Sequence, residues 1–477
     1  MATRRRTKDD VPNSDRRRFL GTASCAAVGT SALFNTILNL RMFNALAAPG
    51  EDYRALVCLF LSGGIDSFNV VVPTDDPSYL EYTGVRGDLA LPRDVLLPIT
   101  PRTPDGRTYG LHPGLPELQT LFAGNQLSVV SNVGTLVEPT SLDQYRRGSV
   151  ALPLGLFSHS DQSMQWQSSL PDTRQAVGWA GRIADVIDSG NCNPNISMNI
   201  SLSGSNVWQS GHVTSHYTVS ENGAEPLWDY GRPNPEALVR TSAIDSLLAL
   251  QYRHLFEKTF AARVRGAIDA GVDFSNAIAA LPPLTTVFSN TSLSRKFRMI
   301  ALTIAARAAL CMKRQTFFVE FGGWDHHDEV ILNQEAMLPV VSRALSEFHS
   351  ALVELDVVDE VTTFTASDFG RTLSSNGRGS DHAWGGNHLV MGGAVAGGDI
   401  YGSYPSLYLN NPLDTGRGRL IPTTSVDAYA AQLALWFGVS RADLPLVLPN
   451  IDRFWSPSSP VLPLGAGSAL RTTARSA

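Results

Sequence analysis

From Arg54 to Leu61 the chain reads Arg-Ala-Leu-Val-Cys-Leu-Phe-Leu, a nearly unbroken apolar run that ends in Ser62-Gly63-Gly64. Such a run, apolar on both faces and closed by glycine, predicts a central strand followed by a sharp turn. The turn delivers Asp66, and Val70-Val71-Val72-Pro73 resumes extended structure; Leu127-Ser128-Val129-Val130 is the next strand. A polar loop leads to Ser158-His159, where a helix begins and runs to about Leu170. Helical spacing returns from Trp179 to Ile187, and Ile196 to Leu202 alternates as a strand does. From Pro235 to about Ile278 the pattern is helical, with Leu238, Ile244, Leu247, Leu248 and Leu255 on one face, and a second helix spans about Leu293 to Met312. Residues 203–234, rich in glycine, serine and aromatics, carry no resolvable period. The order then becomes regular: a strand at 315–321, a helix at about 331–356, a strand at 361–366, a glycine-rich loop, a strand at Leu389-Val390-Met391, and a last amphipathic helix from Ser425 to Phe437. Strands and helices in alternation predict an α/β fold with a mostly parallel sheet and helices on its faces.

Length changes this picture little. A chain of 477 residues, 43% hydrophobic, can bury one large core or two modest ones. No fixed-period repeat and no Ser/Pro-rich or charged linker divides it, which favours one domain over 48–477 with a helical insertion at about 235–313. The residues before that domain read as an export signal. Arg16-Arg17-Arg18-Phe19-Leu20 carries a twin-arginine pattern, a weakly apolar stretch follows to about Leu40, and Ala45-Leu46-Ala47 is an A-x-A cleavage site. Ser24, Thr30, Asn35 and Asn39 make the stretch too polar for a comfortable membrane span. The expected signal peptide is therefore 1–47, with passage through the twin-arginine export machinery and a periplasmic or extracellular destination. Those 47 residues hold eight Lys+Arg and three Asp+Glu, so their loss moves the formal charge from −6 to −11. An acidic mature chain excludes nucleic acid and anionic membrane as partners, since both need basic patches. Three of the four cysteines remain after cleavage. With no C-x-x-C spacing they form no disulfide framework, one bridge stays open, and Cys58 and Cys311 read as core packing.

The chemistry is concentrated late in the chain. Five of the ten histidines fall between Trp324 and His388, most beside aspartates: Asp325, His326, His327 and Asp328, then Asp368, then Asp381, His382 and His388. Imidazole and carboxylate are the ligands that zinc, manganese and iron share, and a hydrolytic metal site gathers several of them from separate loops. The plainer alternative is a set of solvated loop residues. Against it, each charged element follows an apolar β-branched run and is wrapped in glycine: Thr316 to Gly323 before Asp325, and Val361 to Thr365 before Asp368. Strand ends of an α/β sheet are where such folds place their sites.

Seven short motifs stand in order along the chain: Ser62-Gly63-Gly64-Ile65-Asp66, Leu111-His112-Pro113, Ser158-His159, Gly322-Gly323-Trp324-Asp325-His326-His327, Ser367-Asp368-Phe369-Gly370-Arg371-Thr372, Asp381-His382-Ala383-Trp384-Gly385-Gly386-Asn387-His388 and Gly418-Arg419-Leu420-Ile421-Pro422-Thr423. Together they resemble the twin-arginine-exported family numbered 1501 among the domains of unknown function, over essentially the whole mature chain. That family is grouped with the alkaline-phosphatase-like superfamily, so the resemblance implies an alkaline-phosphatase-like α/β sandwich. It further implies a strand-end site for one or two divalent metals and a Ser, Thr or modified Cys nucleophile. Carried over by position, Asp66 stands at the first metal-binding aspartate, with a turn-forming role as its alternative, and Ser158 stands at the nucleophile, with an ordinary helix cap as its alternative. Asp325 and His327 match an Asp-x-His element in which His326 replaces a small hydroxyl residue. Phe369 stands where phosphatases have a ligand histidine after Asp368, a loss that Asp381, His382 or His388 would have to make good.

The expectation is thus an exported metal-dependent hydrolase of phosphate or sulfate esters. Ser158 and His159 are its catalytic residues, and Arg371 is either a clamp on the ester oxygens or a salt bridge ordering the loop. The metal residues are Asp66, Asp325, His327, Asp368, Asp381, His382 and His388, holding zinc, manganese or calcium as one or two ions. The substrate is an anionic ester, with a sugar as one carrier since Trp324 and Trp384 flank the histidines. No cysteine lies in a C-x-P-x-R sequence, which excludes the usual sulfatase nucleophile. The rival is a non-catalytic surface or periplasmic binding protein that keeps the fold.

Overall fold

Strand β1, Arg54–Leu61, alternates its side chains between two apolar layers: Ala55, Val57, Leu59 and Leu61 enter one, Leu56, Cys58 and Phe60 the other. A strand buried on both faces must sit inside a sheet covered on both sides. The computed structural model describes residues 53–459 apart from Pro194, together with Leu470. The twin-arginine pattern and its cleavage site lie outside the described residues.

Three short strands, β2 (Val71–Pro73), β3 (Leu97–Ile99) and β4 (Tyr109–Leu111), form a small antiparallel sheet in the order β2-β4-β3. The large sheet takes β5 (Leu127–Gly134), β6 (Asn199–Ser201), β7 (Tyr217–Thr218), β8 (Arg314–Glu320), β9 (Val361–Ser367), β10 (Gly386–Met391), β11 (Ile400–Tyr401) and β12 (Thr424–Ser425) beside β1. Its order is β11-β5-β10-β9-β1-β8-β6-β7, with β12 also paired to β5. Every pairing is parallel except those of β10, which runs antiparallel to both β5 and β9. The fold is therefore α/β, with a mostly parallel sheet flanked by helices.

On one face lie the helices Pro116–Ala123, Ser292–Ala305 and Val330–Glu354, which bury Leu118, Phe297, Ile300, Leu345 and Phe348; the Phe297 and Phe348 rings are 5.0 Å apart. On the other lie Trp179–Ile187 and Val426–Phe437, with Ile183, Ala184, Tyr429, Leu433 and Phe437 inward. Ser425 caps the last of these by accepting the Ala428 N–H at 3.0 Å.

Two expectations from periodicity are corrected. The helical region from 235 is two helices, Pro235–Leu248 and Leu255–Ala279, and Leu238, Leu247 and Leu255, expected on a core face, are exposed. A repeat of 3.6 reports a helix but not what it packs on. Cys311 is not core: it is exposed and bridged to Cys192, with Cα atoms 5.5 Å apart. Cys58 is buried and free, as the apolar strand around it requires.

Candidate metal centre

β9, β1 and β8 are adjacent and parallel, so their C-terminal ends share one edge, and antiparallel β10 begins at that same edge. Each delivers a loop there: Ser62-Gly63-Gly64 after β1, Trp324-Asp325-His326-His327 after β8, Asp368 after β9, and Asp381-His382 before β10. The close packing of these loops needs glycine. Gly63 has φ +117°, and a side chain on it would run into the backbone at Trp324 and Asp325; Gly64 has φ +78° and lies against the Phe369 ring. A fifth contribution comes from His159, the first residue of the helix His159–Ser168, whose entry is tightened by a positive φ of 72° at Phe157.

These residues converge through their ring nitrogens. The His159 and His382 Nε2 atoms are 3.0 Å apart, and those of His327 and His382 are 2.9 Å apart. Asp325 reaches all three: 3.5 Å from His159, 3.1 Å from His327 and 3.3 Å from His382. One ligand atom each from His159, Asp325 and His382 lies within 4.8 Å of the others. The opposite nitrogen of every ring faces an oxygen that can only accept. His159 Nδ1 lies 2.6 Å from Asp368 Oδ2, His327 Nδ1 3.1 Å from Asp381 Oδ1, and His382 Nδ1 2.8 Å from the Phe157 carbonyl. Each neutral ring therefore carries its proton on Nδ1 and turns an Nε2 lone pair toward Asp325.

At His382 electrostatics favour that state. Burial pushes the His382 imidazole below its ordinary pKa, with His159 and Arg371 adding and the Phe157 carbonyl and Asp325 opposing. Burial works to raise the Asp325 carboxyl, but the hydrogen bond and charge of Arg371, with His327 and His159, hold it below the ordinary carboxylate value. Asp381 is likewise opposed by burial yet brought to about 2 by Asn376, Arg417 and His327. Phe369 lies with ring centroids 4.8 Å from His159 and 4.6 Å from His382. The residue standing where a ligand histidine was expected thus packs against both imidazoles, and His382 supplies the nitrogen.

Of the seven expected metal residues, Asp325, His327 and His382 meet at the centre, and Asp368 and Asp381 stand directly behind two of its histidines. Asp66 and His388 do not. Asp66 is fully buried, paired with Arg86 at 2.7 Å and accepting the Ser380 hydroxyl at 2.8 Å. The turn after β1 aims it at the helix Asp76–Arg86 instead of the histidines. His388 points from β10 into the opposite apolar layer, against Trp166 and Tyr429, where burial drops its pKa to about 3. Alternation along a strand decides this: His388 is two residues past the start of β10 and its face is the core face.

Of its two expected roles Arg371 takes the second: it is buried and donates to the carbonyls of Gly63, Gly64 and Ser380 and to the Asp325 carboxylate, so its guanidinium orders the loops. Ser158 accepts the Asp161 N–H at 3.4 Å as a helix cap and lies 3.2 Å from the Ser160 hydroxyl. Trp324 and Trp384 are fully buried and wall the loops, which removes them as sugar platforms. His159, named from sequence for catalysis, joins the group that could hold a metal; its place at a helix start beside Ser158 gave no sign of which nitrogen would face the centre.

The family described as "Protein of unknown function (DUF1501)" matches residues 235–414. No curated protein matches the chain. Similar solved structures include Ps i-CgsB in complex with k-i-k-neocarrahexaose, 10% identical over 85% of this chain and 78% of that one with a TM-score of 0.33. Another is the PsFucS1 sulfatase from Pseudoalteromonas sp., 10% identical over 91% and 77% with a TM-score of 0.36. A third is a mutant of the alkaline phosphatase PafA, 9% identical over 68% and 64% with a TM-score of 0.29. At these scores the likenesses bear on neither substrate nor residue roles, which rest on the geometry above.

Proposed function

We propose that the chain is an exported, metal-dependent hydrolase of phosphate or sulfate esters, with its metal held by His159, His327, His382 and Asp325. One observation carries this reading: the Nε2 atoms of His159 and His327 lie 3.0 and 2.9 Å from that of His382, and the Asp325 carboxylate lies 3.1–3.5 Å from all three. Lone pairs at that distance repel unless a proton or a cation lies among them. Ligand atoms around a single ion at ~2.0–2.2 Å are themselves ~3 Å apart. The carboxylates and carbonyl behind the rings are the outer partners that fix tautomer and raise ligand basicity at metal sites. Asp368 also has a buried second oxygen, Oδ1, with no hydrogen-bond partner.

A divalent ion held there supplies Lewis-acid charge for an ester's oxygens and for the attacking group. The chain's own residues do the remainder. Asp368, Asp381 and the Phe157 carbonyl hold the three imidazoles in the ligating tautomer, and Arg371 holds Asp325 in place. Ser158 and Ser160, whose hydroxyls lie 3.2 Å apart on either side of His159, are the two candidates for the nucleophile. Export by the twin-arginine route to the periplasm or exterior is supported by the sequence at Arg16-Arg17-Arg18-Phe19-Leu20 and fits the Cys192–Cys311 bridge, since disulfides persist in oxidising compartments.

The test is the metal content of the mature protein purified without chelator, beside Asp325→Ala/His382→Ala. About one or two divalent ions per chain are expected, lost in the variant. A well-folded wild-type protein that takes up no zinc, manganese or calcium would leave the non-catalytic binding role as the better reading.

A further inference from the structure

Among the described residues three arginines stand around the centre, and two of them are paired with its carboxylates. Arg371 is committed to Asp325 and three carbonyls, and Arg417 lies 2.5 Å from Asp381 through its Nη1. The third, Arg419, is two residues further along the same loop and is held in a different way. Its Nε donates to the His382 carbonyl at 3.0 Å, and its guanidinium carbon lies 5.2 Å from the centroid of the Phe157 ring. Both anchors belong to the centre: His382 is a ligand, and the Phe157 carbonyl is what orients it. Among the described residues, no hydrogen bond or ion pair engages either terminal nitrogen of Arg419. The side chain is half-buried, so the anchored stem fixes where a guanidinium with four uncommitted N–H donors points.

We infer that Arg419 is the anion-recognising residue of this site, and that the group it receives is a tetrahedral oxyanion, the phosphate or sulfate end of the ester. This rests on the function proposed above. A planar fork of donors suits two oxygens of one such group, and a guanidinium is weakly hydrated enough to release its water to them. The loop Gly416-Arg417-Gly418-Arg419 serves the centre twice: Arg417 neutralises Asp381 behind His327, and Arg419 brings a positive charge that no carboxylate among the described residues answers. Arg371 and Arg417 order the acidic residues, and Arg419 selects the substrate.

Arg419→Gln tests this without loosening His382. The glutamine Nε2 occupies the position along the side chain that the arginine Nε holds, so the hydrogen bond to the His382 carbonyl is kept and the terminal fork alone is removed. Titration calorimetry would be run with inorganic phosphate and, separately, with sulfate, on wild type and variant, each with and without bound metal, and metal content would be measured in parallel. The expected result is a metal content equal to wild type and an affinity for one or both anions reduced about tenfold to a hundredfold, the loss expected for charge-assisted hydrogen bonds. Which anion loses more identifies the ester. An unchanged anion affinity in Arg419→Gln overturns the inference, as does a wild-type protein that binds neither anion. A wild-type protein that binds anions but no metal defeats the proposed hydrolase alone, and the metal-free titrations still decide Arg419. If Arg419→Gln loses metal along with anion, Arg419 is a positioning residue for His382 and the recognition role falls.

Discussion

Asp368 touches the centre only through His159, yet its carboxylate accepts both the His159 Nδ1–H and the Gly63 N–H at 3.1 Å. Both bonds end on Oδ2, so in Asp368→Ala the two donors lose their acceptor together and the His159 tautomer is released. We expect a well-folded protein whose metal affinity drops about tenfold to a hundredfold in chelator competition; wild-type affinity would separate Asp368 from the centre. Asp66 makes the opposite case. Its pair with Arg86 is fully buried on both sides, so Arg86→Met leaves an uncompensated charge and should cost about 3–5 kcal/mol in urea unfolding. A midpoint close to wild type would show that something other than Arg86 balances Asp66. Both aspartates follow strands and both are flanked by glycine in sequence, and neither composition nor spacing distinguishes the buried ion pair from the support of a ligand.

Among the elements, the disulfide ties the segment before β6 to the one before β8 across a separation of 119 residues. Closing so long a loop restricts the unfolded chain, so Cys192→Ser/Cys311→Ser should lower stability by about 2–4 kcal/mol, and reductant should lower the wild-type melting temperature but not the variant's. Equal melting with and without reductant would mean that the bridge contributes nothing to stability. The helices Pro235–Leu248 and Leu255–Ala279 show the limit of periodicity at this scale. Proline after a capping Asn234 and an Asn234 side chain accepting the Ala237 N–H at 2.9 Å start the first helix as sequence rules predict. Leu238 and Leu247, which marked its face, nevertheless end in solvent, because helix formation is local and the choice of what to cover is not.

For the whole molecule the buried histidines set the response to acid. Burial lowers His388 to about 3 and His112 to about 4. In the unfolded chain both titrate near the ordinary value of ~6.5. As pH falls below that value the unfolded state takes up protons the native state refuses, and stability falls by up to ~1.4 kcal/mol per pH unit for each histidine until its folded value is reached. Asp381 adds a second window: its stabilisation is present above the ordinary carboxylate value and is lost as pH falls toward about 2. Denaturant titrations at steps from pH 7 to pH 4 should show the loss, with a shallower slope in His388→Phe. An identical slope in that variant would remove His388 as a cause.

The sequence by itself determined the parallel sheet, because an apolar run on both faces has few other destinations, and it determined that Asp325, His327, Asp368, Asp381 and His382 lie on strand-end loops. In the structure His112 Nδ1 accepts the Gly114 N–H at 3.0 Å and fixes the turn after Leu111. Tertiary structure alone decided which nitrogens converge. Ligand sets are assembled from residues hundreds of positions apart, such as His159 and His382, and their orientation depends on a carbonyl, a carboxylate and the Phe369 ring, none of which leaves a periodic trace. It alone sent Asp66 to Arg86 and His388 into the core, since the face a side chain takes is fixed by strand register and by the partner waiting there. It alone committed Arg371 to the loops and left the terminal fork of Arg419 unengaged, because the partners of a guanidinium depend on the acceptors that the fold brings within reach.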